Sequence, residues 1–87
     1  MKNLYIVKVN GVTLYYSYDF IVAFDSLETG LVIQENIWSQ TTGKHLDSIN
    51  PNREIRINQQ EFLKKQNQVF KKNHFDIYFS PSGDKHD

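Results

Sequence analysis

The sequence predicts an α+β domain: an antiparallel β-meander of three to five strands, one short helix, and a C-terminal amphipathic helix covering one sheet face. Three observations carry that expectation. Asn10-Gly11 separates two runs rich in β-branched and aromatic residues, and Asn-Gly between such runs signals a tight hairpin, because both central residues of a type I′ turn need positive φ. Further short apolar runs follow at hairpin spacing, divided by turn chemistry at Asp25-Ser26-Leu27-Glu28-Thr29-Gly30. Beyond residue 58 the apolar residues fall at helical spacings of three, four and seven once Gln66 is admitted at the edge of the stripe.

Taken in order, residues 3–9 and 12–18 form the first two strands and residues 20–24 a third or a bulged continuation. Residues 31–38 form a fourth strand. Residues 44–49 suit a two-turn helix with Thr41 or Thr42 as the capping hydroxyl, ended by Asn50-Pro51-Asn52. Residues 53–57 suit a short strand with Ile55 and Ile57 on one face. Asn58, three residues before Glu61, starts the long helix in the manner of a capping box. Phe62, Leu63, Val69 and Phe70 share its apolar face, and Lys64, Lys65, Gln68, Lys71 and Lys72 the opposite one. Phe75, Ile77 and Phe79 alternate as a last strand would, and residues 80–87 read as a polar tail. The expected organisation is one domain over residues 1–79 followed by that tail.

Composition narrows the function. The chain has 87 residues, no cysteine, and ten basic against ten acidic side chains. Zero net charge excludes a uniformly basic nucleic-acid coat and a uniformly acidic nucleic-acid mimic. Without cysteine there is no disulfide and no cysteine-rich zinc site. No segment approaches the ~18 apolar residues of a membrane span, and the N-terminus lacks the apolar stretch of a signal peptide. The expected setting is cytoplasmic.

The densest group of chemical side chains is Trp38-Ser39-Gln40-Thr41-Thr42-Gly43-Lys44-His45-Leu46. Thr41, Thr42, Lys44 and His45 would stand at a helix N-terminus, where free N–H groups and the helix dipole favour an anion. The alternative is a helix cap whose hydroxyls satisfy its own amides, and this weighs more. Trp38 stands where the Walker phosphate loop needs its first glycine, so nucleotide hydrolysis is not indicated. Lys64, Lys65, Lys71 and Lys72 could bind nucleic-acid phosphates, although a solvated helix face is the simpler reading. Tyr15, Tyr16 and Tyr18 alternate along one strand, so at least one should be exposed as a stacking or docking group. Catalysis has little support. His45, His74 and His86 lack metal-pair spacing, and no serine sits in a Gly-x-Ser-x-Gly elbow. No metal, cofactor or enzymatic activity is expected.

Two segments carry a family resemblance. Tyr18-Asp19-Phe20-Ile21-Val22-Ala23-Phe24 and Ser39-Gln40-Thr41-Thr42-Gly43-Lys44-His45-Leu46 resemble small phage and mobile-element proteins of unknown function. Those proteins show Tyr-x-Thr-Pro-Val-Ala-Phe and then Ser-x-Thr-Thr-x-Lys-His-Leu. The second motif agrees at every fixed position, while Phe20 and Ile21 depart from the first. The resemblance implies an accessory protein acting in a bacterial host cell, and carries no activity with it. Three functions follow as expectations. The first is a non-enzymatic protein that binds and inhibits or modulates a host protein or ribonucleoprotein, an anti-CRISPR-like inhibitor being its sharpest form. Its contacts would be Tyr15, Tyr16, Tyr18, Asp19, Asp25, Glu28 and Glu35. The second is a nucleic-acid-binding module using Lys44, His45 and the lysine face. The third, and weakest, is a small enzyme built on His45.

Overall fold

A computed structural model describes residues 1–73. Strands β1 (Leu4–Val9), β2 (Val12–Ser17), β3 (Phe20–Ser26) and β4 (Gly30–Gln34) lie side by side in chain order, each antiparallel to the last. Asn10 and Gly11 take φ of 50° and 78°, the positive values that a type I′ turn requires. A fifth strand, β5 (Arg56–Ile57), joins β4 in parallel and completes the sheet. The architecture is α+β, with a mostly antiparallel sheet and two α-helices.

Two local expectations change. The fourth strand stops at Gln34 rather than running to Trp38, because the Asn36 side chain accepts the Trp38 N–H at 2.9 Å and turns the chain out of the sheet. The first helix, α1 (Gln40–Ile49), starts a turn earlier than expected. Its cap is Ser39, whose Oγ accepts the Thr42 N–H at 3.2 Å, not Thr41 or Thr42. The second helix, α2 (Gln59–Asn73), starts where the sequence places it: Asn58 Oδ1 accepts the Glu61 N–H at 2.9 Å. Residues 53–57 divide into a single 3-10 turn (Arg53–Ile55) and β5.

The two helices cover opposite faces of the sheet. Val12, Leu14, Tyr16, Phe24 and Val32 pack with Phe62, Val69 and Phe70 of α2. Val22, Ala23 and Ile33 pack with Leu46 of α1, flanked by Tyr15, Leu31, Trp38 and Ile49. Alternation along β2 and β4 sends neighbours such as Val32 and Ile33 to different faces. In β3 the alternation is reset by a bulge. Tyr15 pairs with Ala23 and Tyr16 with Ile21, leaving Val22 as the extra residue. Phe62 is fully buried, its ring centroid 5.3 Å from that of Phe24. Leu63, expected on the buried stripe, is 42% exposed instead. The expected strand at Phe75, Ile77 and Phe79, and the tail after it, lie outside the described residues.

One charged cluster ties α1 to the segment that leads into β5. Asp47 receives Arg53 Nη2 at 3.2 Å and Arg56 Nη2 at 2.8 Å, and Arg56 also reaches the Asn50 carbonyl at 3.3 Å. The bonds from Arg53 and then Arg56 hold the Asp47 carboxyl below its ordinary range.

Two stability measurements test this packing. Phe62→Ala should lower unfolding stability by about 3–5 kcal/mol, and the exposed Leu63→Ala by less than about 1 kcal/mol, both read as shifts in urea midpoint. For Asp47 the folded carboxyl ionises at lower pH than the unfolded one. Its contribution is therefore present above the usual carboxylate range, about pH 4, and lost as pH falls through the lowered value. Asp47→Asn should be less stable than the parent at pH 7, with the difference closing as the pH is taken below the usual carboxylate range.

Candidate functional site

Within the motif at the start of α1, Thr42 and His45, three residues apart, share the face buried against the sheet, the capping Ser39 stays exposed above them, and Thr41 and Lys44 point to solvent. Ser17, the last residue of β2, meets them on the α1 face. Its Oγ lies 2.6 Å from His45 Nδ1 and 2.9 Å from Thr42 Oγ1. His45 Nε2 lies 2.9 Å from the Lys2 carbonyl. A carbonyl only accepts, so Nε2 carries a proton, and in the neutral ring Nδ1 accepts from the Ser17 hydroxyl. The remaining directions follow: Thr42 O–H donates to Ser17, and Ser39 O–H to Thr42 at 3.5 Å. Gly43 is set by close approach, since a Cβ there would come within 3.0 Å of Asn36 Nδ2.

This cluster is closed to solvent. Ser17 and His45 are each 1% exposed and Thr42 is 3% exposed, and the Tyr18 ring lies against the imidazole at 5.8 Å between centroids. Thr42 and His45, expected at an anion or nucleic-acid site, are instead internal latches joining α1, the end of β2 and the N-terminal segment. The Ser17–His45 spacing would suit a nucleophile and its base, but neither residue can reach a substrate and a carbonyl, not a carboxylate, holds the ring. The chain separation of 28 residues hides Ser17 from sequence inspection. The three-residue spacing of Ser39, Thr42 and His45 was the available signal.

The other expected contacts are dispersed. Tyr16 is buried in the core on the α2 side, where burial pushes its hydroxyl pKa up to about 12, so it is not a contact residue. Tyr15 and Asp25 are half-buried; Tyr18, Asp19, Glu28 and Glu35 are exposed. Lys44 sits on α1, whereas Lys64, Lys65, Lys71 and Lys72 sit on α2 across the sheet. Lys72 is paired with Glu28 in the β3–β4 turn. The cations expected to act together therefore do not form one surface.

What the fold does assemble lies at the turn between β2 and β3. Tyr18 takes φ of 57°, unusual for a bulky residue, and donates its N–H to the Asn3 carbonyl at 2.8 Å. Asp19 and Phe20 follow, and Phe20 stacks on Trp38 with centroids 5.8 Å apart and planes 24° apart. Tyr18 is 40% exposed, Phe20 54% and Ile37 47%. Behind the stack lies a cleft of about 240 Å³, lined by the apolar Phe20, Trp38, Ile21 and Leu63 and by the polar Tyr16, Asp19, Gln34, Gln59 and Gln66. Gln34 is 2% exposed, and its Nε2 has no hydrogen-bond partner among the described residues. A buried donor left unpaired costs about 1–3 kcal/mol. Sequence reading missed Phe20, Trp38 and Gln34 as a group, because two strands and a loop must fold before they meet. No three His, Cys, Asp or Glu side chains among the described residues are arranged to hold a metal ion, and no helix there is long and apolar enough to cross a membrane.

The chain belongs to a family of unknown function (DUF8033), which matches residues 1–65. That span takes in the whole sheet, α1 and the first half of α2, and thus both polar clusters. No curated protein and no solved structure matches the chain.

Ser17→Ala removes the donor to His45 Nδ1 and the acceptor for Thr42. It should cost about 1–3 kcal/mol of unfolding free energy, whereas Thr41→Ala on the solvent side should stay within about 0.5 kcal/mol. Nitrogen-15 chemical shifts of the parent's neutral imidazole should identify the Nε2–H tautomer.

Proposed function

We propose that this protein is a non-enzymatic binding protein that inhibits or modulates a host macromolecule, with a protein or ribonucleoprotein as its target. The observation that carries this reading is the exposed Tyr18-Asp19-Phe20 turn with Trp38 stacked against it. Large aromatic side chains concentrate binding energy at protein interfaces, and a neighbouring carboxylate adds selectivity for a partner's cation. Asp19 has no ion-pair partner among the described residues, so its charge is available to such a partner. The motif resemblance supports a phage or mobile-element accessory protein working in the bacterial cytoplasm, with an anti-CRISPR-like inhibitor as the sharpest form. A nucleic-acid module ranks second. Lys64, Lys65 and Lys71 present cations on α2, but Lys44 lies across the sheet and Glu28 occupies Lys72.

Tagged protein incubated with host lysate should retain one stoichiometric partner after nuclease treatment. Phe20→Ala and Asp19→Lys should each weaken that capture by at least about tenfold, the effect of losing one interface anchor, with far-ultraviolet circular dichroism unchanged. Capture that disappears with nuclease and with Lys64, Lys65 and Lys71 changed to Gln, yet survives Phe20→Ala, would establish the second reading instead.

A further inference from the structure

The cleft behind the Phe20–Trp38 stack has a chemistry that the surrounding surface lacks. Its apolar lining is the Phe20–Trp38 pair, Ile21 of β3 and Leu63 of α2, and Tyr16, Gln59 and Gln66 add polar groups beside them. At its border stands a single buried donor, Gln34 Nε2, which no described residue accepts from. Buried polar groups in folded proteins are nearly always paired, so an orphan donor facing a cleft marks the place of a missing acceptor. Leu63, which helical periodicity assigned to the core, is left 42% exposed and lines this cleft. An apolar residue and a polar one, each without its ordinary partner, thus meet in one place.

The acceptor can be specified further. No lysine or arginine lines the cleft among the described residues, and Asp19 does. A phosphate or carboxylate would be repelled there with nothing to balance it. A neutral carbonyl suits the buried Gln34 amide, Gln59 and Gln66 at the margin suit the rest of a peptide group, and the Phe20, Trp38, Ile21 and Leu63 side chains suit a hydrocarbon or aromatic group beside it. The volume of about 240 Å³ lies below the range of ~300–1,000 Å³ usual for whole cofactors and drug-sized ligands. One side chain with its adjoining peptide group fits these requirements, and a nucleotide does not.

We infer that this cleft receives one large apolar side chain of a partner polypeptide, whose adjoining backbone carbonyl accepts from Gln34 Nε2. The inference rests on the reading of the molecule as a protein-binding protein, and names the feature recognised. Phe20 and Trp38 form the wall that closes over the side chain, and Asp19 at the border selects against an acidic residue beside it.

The chain has one tryptophan, and it lies in the cleft, so its indole N–H and the Gln34 side-chain amide report occupancy directly. The ¹⁵N-labelled full chain would be titrated with N-acetyl-leucine methylamide, N-acetyl-phenylalanine methylamide, N-acetyl-glycine methylamide and adenosine. The leucine or phenylalanine probe should move both signals saturably, with the glycine probe and adenosine at least about tenfold weaker. Phe20→Ala at the exposed rim should weaken the apolar probes by a similar factor. Gln34→Met should raise the urea midpoint, because it removes the orphan donor, and yet weaken the probes. A merely structural glutamine would give the opposite midpoint shift and unchanged affinity, which would overturn the assignment. Adenosine binding as tightly as the leucine probe would overturn it too, as would signals that no probe moves because another part of the chain or a second copy fills the cleft. The two readings fail separately. Partner capture that depends on Phe20 while no probe binds leaves the proposed function standing and removes this cleft from it. Probe binding without any captured partner does the reverse.

Discussion

The extra residue in β3 is the constraint on which the rest of the structure depends. Ile21 and Phe24 are three positions apart, a spacing that places strand side chains on opposite faces when alternation is regular. Here both face α2, opposite Tyr16 and Leu14 respectively, because Val22 is unmatched in β2. Val22 and Ala23 can then both turn to the α1 side, where Leu46 and Ile33 meet them. One central strand thereby seats both helices. The bulge also determines what precedes it. Ser17 pairs with Phe20 across the turn, so Ser17 lies under His45 while Phe20 is carried to the sheet margin beside Trp38. A regular strand would send Ile21 and Phe20 to the opposite faces and lose either the core contact or the aromatic stack.

Where order is set by neighbouring residues, the sequence is legible. Asn10-Gly11 defines its turn through the backbone freedom of those two residues, and Asn58 caps α2 through a bond to an amide three residues on. The apolar runs of β1 to β4 and the Phe62, Val69 and Phe70 stripe follow from period alone. What escapes is decided by pairs distant along the chain. Nothing local marks Ser17 as the partner of His45, and the motif reads more readily as a helix cap than as an anion site without showing which hydroxyl pairs with the ring. Leu63 fits the helical stripe by angle, yet it is left 42% exposed on the cleft beside Ile21. Tyr16 and Tyr18 look alike in the sequence, and differ because one lies inside the strand and the other turns out of it at positive φ.

Charge follows the same geography. Residues 1–43 carry two basic and four acidic groups, and residues 44–87 carry eight basic and six acidic. Folding does not segregate them into two opposed poles. Lys72 closes on Glu28, while Asp47 gathers Arg53 and Arg56. The first pair joins the two halves and the second cluster lies within the latter one, while Lys44 and the α2 lysines lie on different sheet faces. Net neutrality follows from composition alone, and the ion pairs add that part of the charge is already matched locally in the folded molecule.

The two polar clusters make a useful contrast. Around His45 each ring nitrogen and each hydroxyl of Ser17 and Thr42 has a partner within the chain, and the aromatic ring of Tyr18 covers them. Satisfied networks of this kind in low dielectric hold a structure in one arrangement. Around Gln34 the opposite holds: the donor is buried beside a cleft of mixed apolar and polar lining, and the acceptor is missing among the described residues. The first cluster reaches the second through the β2–β3 turn, since Ser17 and Phe20 are its paired ends. Rigidity bought by the closed network positions the Phe20 wall, so the open cleft is presented on a fixed frame. A preformed cleft of this kind loses little conformational freedom on binding, and selectivity can then come from one unpaired amide rather than from a large interface.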